Sequence, residues 1–207
     1  MKTNSFILKF IMLFIVVSFY FLPIYAFDVE KEIVEITKNP NVVYTVYLGM
    51  SKNDVYNNFS NIKGWKITEN NKNSFIIERS YSLWSSIKYN GQMKERVSIF
   101  FENDNVIIVN VDIFTDNLEK AKRLYNLGLI GFSNSLGPKD QSFDLPYVNH
   151  YYGVNWLNNN HSTVLAFLTL PEINQYNKFV HKIHIALRPR IDFDHTMTEY
   201  YLNLLNE

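Results

Sequence analysis

Near the end of the chain, Ile191-Asp192-Phe193-Asp194-His195 brings two carboxylates and an imidazole within a few residues of one another. Such donors suit a divalent cation that activates water, the chemistry of a metal-dependent hydrolase. The same acids precede Thr196-Met197-Thr198-Glu199, a capping-box sequence, and a helix start favours acidic residues with no metal present. Among the five histidines, His181 and His184 are spaced three apart. On a strand they point to opposite faces, so one ion does not reach both. Gly131-Phe132-Ser133-Asn134-Ser135 lacks the last glycine of a hydrolase elbow and falls within a helical pattern, whereas that motif needs a strand-to-helix turn. No phosphate-cradling glycine pattern or dinucleotide fingerprint occurs. Composition and spacing therefore imply no cofactor.

Recognition chemistry is better represented. Aromatic residues make up 16% of the chain, with 14 Tyr and 16 Phe, so rings are available for a binding surface as well as for a core. Tyr151-Tyr152 and Tyr200-Tyr201, with Tyr44, Tyr47 and Trp84, are the candidates, set against burial in an aromatic-rich core. Arg96 and Asp112 are charged candidates, because the hairpin that contains them is expected to set them opposite each other on its polar face.

The elements that position these residues begin after residue 26. Lys2 and Lys9 precede a charge-free apolar run from Phe10 to Leu22, then Pro23 and a small residue, Ala26. That three-part order predicts a signal peptide at 1–26, cleaved after Ala26, and an exported mature chain at 27–207. The run is shorter than the roughly 20 residues of a membrane span, so no stable span is expected after cleavage; the alternative reading is an uncleaved anchor. Without Lys2 and Lys9 the chain carries 18 basic and 20 acidic residues, a balance that argues against nucleic acid. It has no cysteine, but its length allows a core without cross-links.

Lys94 to Phe114 predicts the central hairpin. With Asn103-Asp104-Asn105 as its loop, Val97 faces Val111, Ile99 faces Val109 and Phe101 faces Ile107. The other face pairs Arg96 with Asp112, Ser98 with Asn110 and Phe100 with Ile108. Asn70-Asn71-Lys72 similarly sets Ile67 against Phe75 and Trp65 against Ile77. Asn159-Asn160-His161 sets Trp156 against Val164 and Val154 against Ala166. Val42–Leu48 and Phe179–Leu187 have strand composition, Ser80–Met93 reads as a link and Lys139–Asn149 as a loop. Phe27–Lys38 reads as a short helix or an extended lead-in. Asp116 with Glu119 caps a helix whose buried face is Leu118, Ala121, Tyr125, Gly128, Phe132 and Leu136, and Gly137-Pro138 ends it. Gly128 and Gly131 are expected where that helix approaches the sheet closely or bends. The fold expected is α+β, a meandering antiparallel sheet with helices packed on one face. It forms a single exported domain in which two helix-plus-hairpin units, 42–114 and 115–207, follow one another.

Leu48-Gly49-Met50-Ser51-Lys52-Asn53-Asp54-Val55 resembles the helix opening of small outer-membrane assembly lipoproteins of the BamE/SmpA type, and is similar to repeats of the β-lactamase-inhibitor-protein fold. The resemblance implies structural roles for four residues: a turn at Gly49, a staple at Met50, a cap at Ser51 and a core contact at Val55. It also implies an envelope or secreted binding scaffold whose partner is a protein or envelope component. The lipid-bearing cysteine of those lipoproteins is absent.

Overall fold

Alternating apolar and polar residues from Lys94 to Phe114 form the middle of an open antiparallel sheet in a computed structural model that describes residues 29–60, 62, 64–82, 92–145, 151–171 and 179–190. The segment 1–26 expected to be a signal peptide, Trp84, the cluster of Asp192, Asp194 and His195, and the last expected helix lie outside these residues. The strands are β1 (Lys66–Asn70), β2 (Ser74–Ser82), β3 (Gln92–Glu102), β4 (Asn105–Thr115), β5 (Gln141–Leu145), β6 (Tyr151–Leu157), β7 (His161–Pro171) and β8 (Phe179–Pro189). Their order, β1-β2-β3-β4-β8-β7-β6-β5, joins two four-stranded meanders along their last strands. The helices α1 (Val29–Lys38), α2 (Lys52–Ser60) and α3 (Leu118–Leu136) pack on one face. The protein is thus α+β, with α1 and α2 ahead of the first meander and α3 ahead of the second.

One row of directly opposed residues runs through the helix-covered face: Ile67, Ile77, Val97, Val111, Ile185, Leu165 and Val154. All but the edge residue Ile67 are buried. Burying such a row contributes on the order of 1.5–3 kcal/mol per large side chain, and its continuity across the β4–β8 seam makes the two meanders share one core.

In the central hairpin the expected pairs of Val97, Ile99, Arg96, Ser98 and Phe100 all occur. Its tip differs. Asn103 and Asp104 alone form the turn, with φ of 50° and 61°, and Glu102 pairs with Asn105. A two-residue turn by itself would invert the sorting of side chains. A bulge at Ile107 restores it, so Phe101 opposes Val106 rather than Ile107.

The first hairpin turns at Asn71-Lys72-Asn73, one residue later than expected, because the Asn71 side chain accepts the backbone N–H groups of Asn73 and Ser74, each at 2.9 Å. A bulge at Thr68 then shifts the register, so Ile67 opposes Ile77, and Trp65 precedes the strand. The third hairpin is one residue out of the expected register: Trp156 opposes Thr163 and Val154 opposes Leu165. β7 is apolar on both faces, and both are buried from Ser162 to Leu168, so side-chain sorting could not select its register.

Three further expectations are corrected. Lys139–Asn149 contains the edge strand β5, whose five residues are too few for alternation to stand out from a loop. The link after β2 is shorter than expected, since β2 runs to Ser82 and β3 begins at Gln92. Val42–Leu48 is not a strand. Val43 and Val46 exchange backbone hydrogen bonds of 2.8 Å around Tyr44 and Thr45, whose φ values are 49° and 73°.

The residues of the Gly49 opening each have a local role. Gly49 adopts φ 87°, Met50 and Val55 are buried, and Ser51 caps α2 by accepting the Asp54 N–H at 3.2 Å. Backbone bonds from Gly49 to Val106 and from Lys52 to Asp104 seat this segment on the β3–β4 tip. α3 is capped by Asn117, whose side chain accepts the Lys120 N–H at 2.9 Å, in place of Asp116. Both glycines of α3 mark close approaches. A Cβ on Gly128 would meet Leu165 of the sheet at 3.1 Å, and one on Gly131 would meet Thr37 of α1 at 2.2 Å. Among the described residues, no helix is long and apolar enough to cross a membrane.

Candidate functional site

On the face opposite the helices, the next row reads Lys66, Glu78, Arg96, Asp112 and His184, one residue from each of β1, β2, β3, β4 and β8. Base, acid, base, acid and imidazole thus stand directly opposite one another, the cross-strand arrangement in which unlike charges stabilise a sheet. Strand alternation places these side chains here, because their neighbours Ile67, Ile77, Val97, Val111 and Ile185 occupy the other face.

Glu78 accepts from Arg96 Nε at 2.7 Å and from Lys94 Nζ at 2.8 Å. Burial raises the Glu78 pKa, but hydrogen bonds from Lys94 and Arg96 outweigh it and leave the carboxyl below its ordinary value. Asp112 Oδ1 accepts from His184 Nδ1 at 2.7 Å and lies 3.4 Å from Lys182 Nζ. Burial again pushes upward, yet Lys182 and then His184 hold Asp112 down at about 2. Phe114 lies between Arg96 and Lys182, whose charged groups are 5.8 and 5.9 Å from its ring centre. Arg96, Lys94, Phe114 and Lys182 are half-exposed, whereas Ser98, Asn110, Asp112 and His184 are buried.

This arrangement can bind a partner through fixed alternating charge and one aromatic face. The Asp112–His184 contact also orients an imidazole, as a general base requires. Its nearest row carries Ser98 only on β3, two strands from His184, or about 10 Å at ordinary strand spacing.

The structure brings together Arg96 and Asp112 of the sequence candidates. Tyr151 and Tyr152 point to opposite faces. Tyr151 is buried beside Phe143, at 5.3 Å between ring centres, while Tyr152 stacks on Phe167 at 5.1 Å and meets Tyr125 edge-on at the same distance. Burial, with Tyr152 adding to it, pushes the Tyr125 hydroxyl up to about 12. His181 turns to the helix-covered face and contacts Thr169 at 3.0 Å, and burial lowers its pKa. Asp192, Asp194 and His195 lie outside the described residues; within those residues, no group of three His, Asp or Glu is placed to hold a metal.

Sequence reasoning missed His184 as the partner of Asp112, because β4 and β8 are distant in the chain and no turn fixes their register. It also missed a second cluster beneath the helices. Arg79 Nε donates to Glu95 at 2.8 Å, Arg79 Nη2 also contacts Glu32 of α1, and the Tyr44 hydroxyl touches both carboxylates, at 2.6 Å for Glu32. Trp65 stacks on the Arg79 guanidinium at 4.1 Å. With Glu95 fully buried, this cluster fastens α1 and the Tyr44 turn to the sheet.

No family model matches the chain, and no curated protein or solved structure matches it either.

Proposed function

We propose that this is an exported, non-enzymatic binding protein that recognises a protein or other cell-envelope component through the charged face of β2, β3, β4 and β8. The observation that carries the reading is the half-exposed Phe114 held between Arg96 and Lys182, beside carboxylates whose positions are fixed by ion pairs. Fixed, unlike charges around one ring favour a partner of complementary pattern, because a mismatched charge would be desolvated without compensation. Export rests on the order of charge, apolar run and small residue before Phe27.

A photo-cross-linking residue at position 96, followed by affinity capture from intact source cells, tests the proposal. Capture of one discrete envelope component, lost on Phe114→Ala with Lys182→Ala and retained with a control at exposed Lys122, is the expected result. Failure of the full-length protein to capture anything, or equal capture by the double variant, sinks it.

A further inference from the structure

We propose that the end of the sheet carrying the β1–β2, β3–β4 and β6–β7 turns is a docking row for an extended, neutral, hydroxyl-rich glycan, distinct from the charged sheet face. The antiparallel pairing of successive neighbours makes β1, β3, β6 and β8 run in one direction, so the three turns emerge at a common end. Given their places in the sheet and a strand spacing of about 4.8 Å, the turns lie about 10 and 14 Å apart, a row of about 24 Å. That span suits several consecutive sugar units better than one small molecule.

Asparagine in a turn usually needs no ligand to explain it. Here the asparagines divide into two sets. Asn71, Asn105 and Asn158 use their side chains to build the turns, through bonds to neighbouring backbone groups. Asn70, Asn73, Asn103, Asn159 and Asn160 are exposed, and their side-chain amides make no hydrogen bond to the described chain. Turn chemistry accounts for the first set; the second leaves five side-chain amides, each with paired donor and acceptor capacity, exposed to solvent. A carboxamide of this kind matches adjacent hydroxyls.

The row is also braced. Lys52 contacts the carbonyl of Asn71 while its own N–H bonds to Asp104, and Phe101 N–H bonds to Asn73 at 2.8 Å, tying the first two turns together. Arg190 N–H bonds to Asn160 at 3.1 Å, tying the third to the end of β8. Bracing lowers the ordering cost of binding. The charged groups at this end are largely occupied: Glu69 by Ser74 and Asn71, and Asp140 by the Leu157 N–H. Exposed Lys72, Lys139 and Arg190 are matched in number by exposed Glu102, Asp104 and Asp140, so no net charge at this end selects an ionic polymer.

The test is co-sedimentation of the mature chain with cellulose, chitin, starch and β-1,3-glucan, followed by titration with oligosaccharides of any polymer that retains it. Retention by at least one neutral polymer is expected. Combining Asn73→Ala, Asn159→Ala and Asn160→Ala should weaken it about tenfold, the product of a few lost hydrogen bonds. The thermal midpoint should not change, and a variant with Phe114→Ala and Lys182→Ala should bind the polymer normally. Passage of the wild-type chain over all four polymers overturns the inference, as does equal binding by the triple variant.

Discussion

Asp112 is an acid held in its charged form by two bases, and this gives it a defined effect on stability. Its folded pKa, about 2, lies below the ordinary value of 3.8. Between these values the unfolded chain binds more protons, so stability is fully present above about pH 4 and is lost as pH falls toward 2. The contribution is about 2 kcal/mol. Urea unfolding at pH 5 and pH 2.5 should show this loss in the wild type and much less of it in Asp112→Asn, which has no carboxyl to titrate. Equal acid sensitivity in both would rule out Asp112 as a source. The Arg79 cluster should behave differently, since its carboxylate partner Glu95 is fully buried. Arg79→Leu leaves Glu95 without that guanidinium and should cost about 3–5 kcal/mol. A loss below 1 kcal/mol in denaturant unfolding would show that the cluster does not fasten α1.

At the scale of elements, α3 makes a close approach at each of its two glycines, and the one at Gly131 leaves no room for a methyl. Gly131→Ala places a methyl against Thr37, a short branched side chain buried between two helices, so α1 must shift. About 1–3 kcal/mol of destabilisation is expected. Adding Thr37→Gly should recover part of it, since alanine is otherwise the better helix former by about 1 kcal/mol. Calorimetric midpoints of the single and double variants decide this. The glycine pair was legible in the sequence because each glycine costs a helix about 1 kcal/mol and so calls for a reason, although the sequence did not show that Gly131 meets a helix and Gly128 the sheet. The central hairpin was legible for a related reason: a single polar face allows only one register. β7 has two apolar faces, and its register was misread by one residue. The Tyr44 turn escaped because Val42–Leu48 has strand composition, and a turn through two positive φ values leaves no mark without glycine or asparagine. Of the charged site, Arg96 and Asp112 were visible inside one hairpin. Glu78 and His184 belong to pairings that no single hairpin fixes.

For the whole molecule, the decisive feature is the seam between β4 and β8. Each meander ends on a strand whose long edge is satisfied only by the other, through pairs from Val109 with Leu187 to Thr115 with His181. The apolar row and the charged row both cross this seam without interruption. Asp112 on β4 therefore depends on β8 for His184 and Lys182, and neither half contains the complete site. Separated at the β4–α3 junction, residues 27–115 would expose the β4 edge together with Val109, Val111 and Ile113, an unprotected template for association. The fragment alone should aggregate or pair with itself, and co-expression with 116–207 should restore a one-to-one complex by recreating the β4–β8 ladder. Size-exclusion chromatography with circular dichroism checks this. A monomeric, cooperatively folded 27–115 fragment would mean that the first meander is stable without the seam, and that the charged face was added to a finished unit.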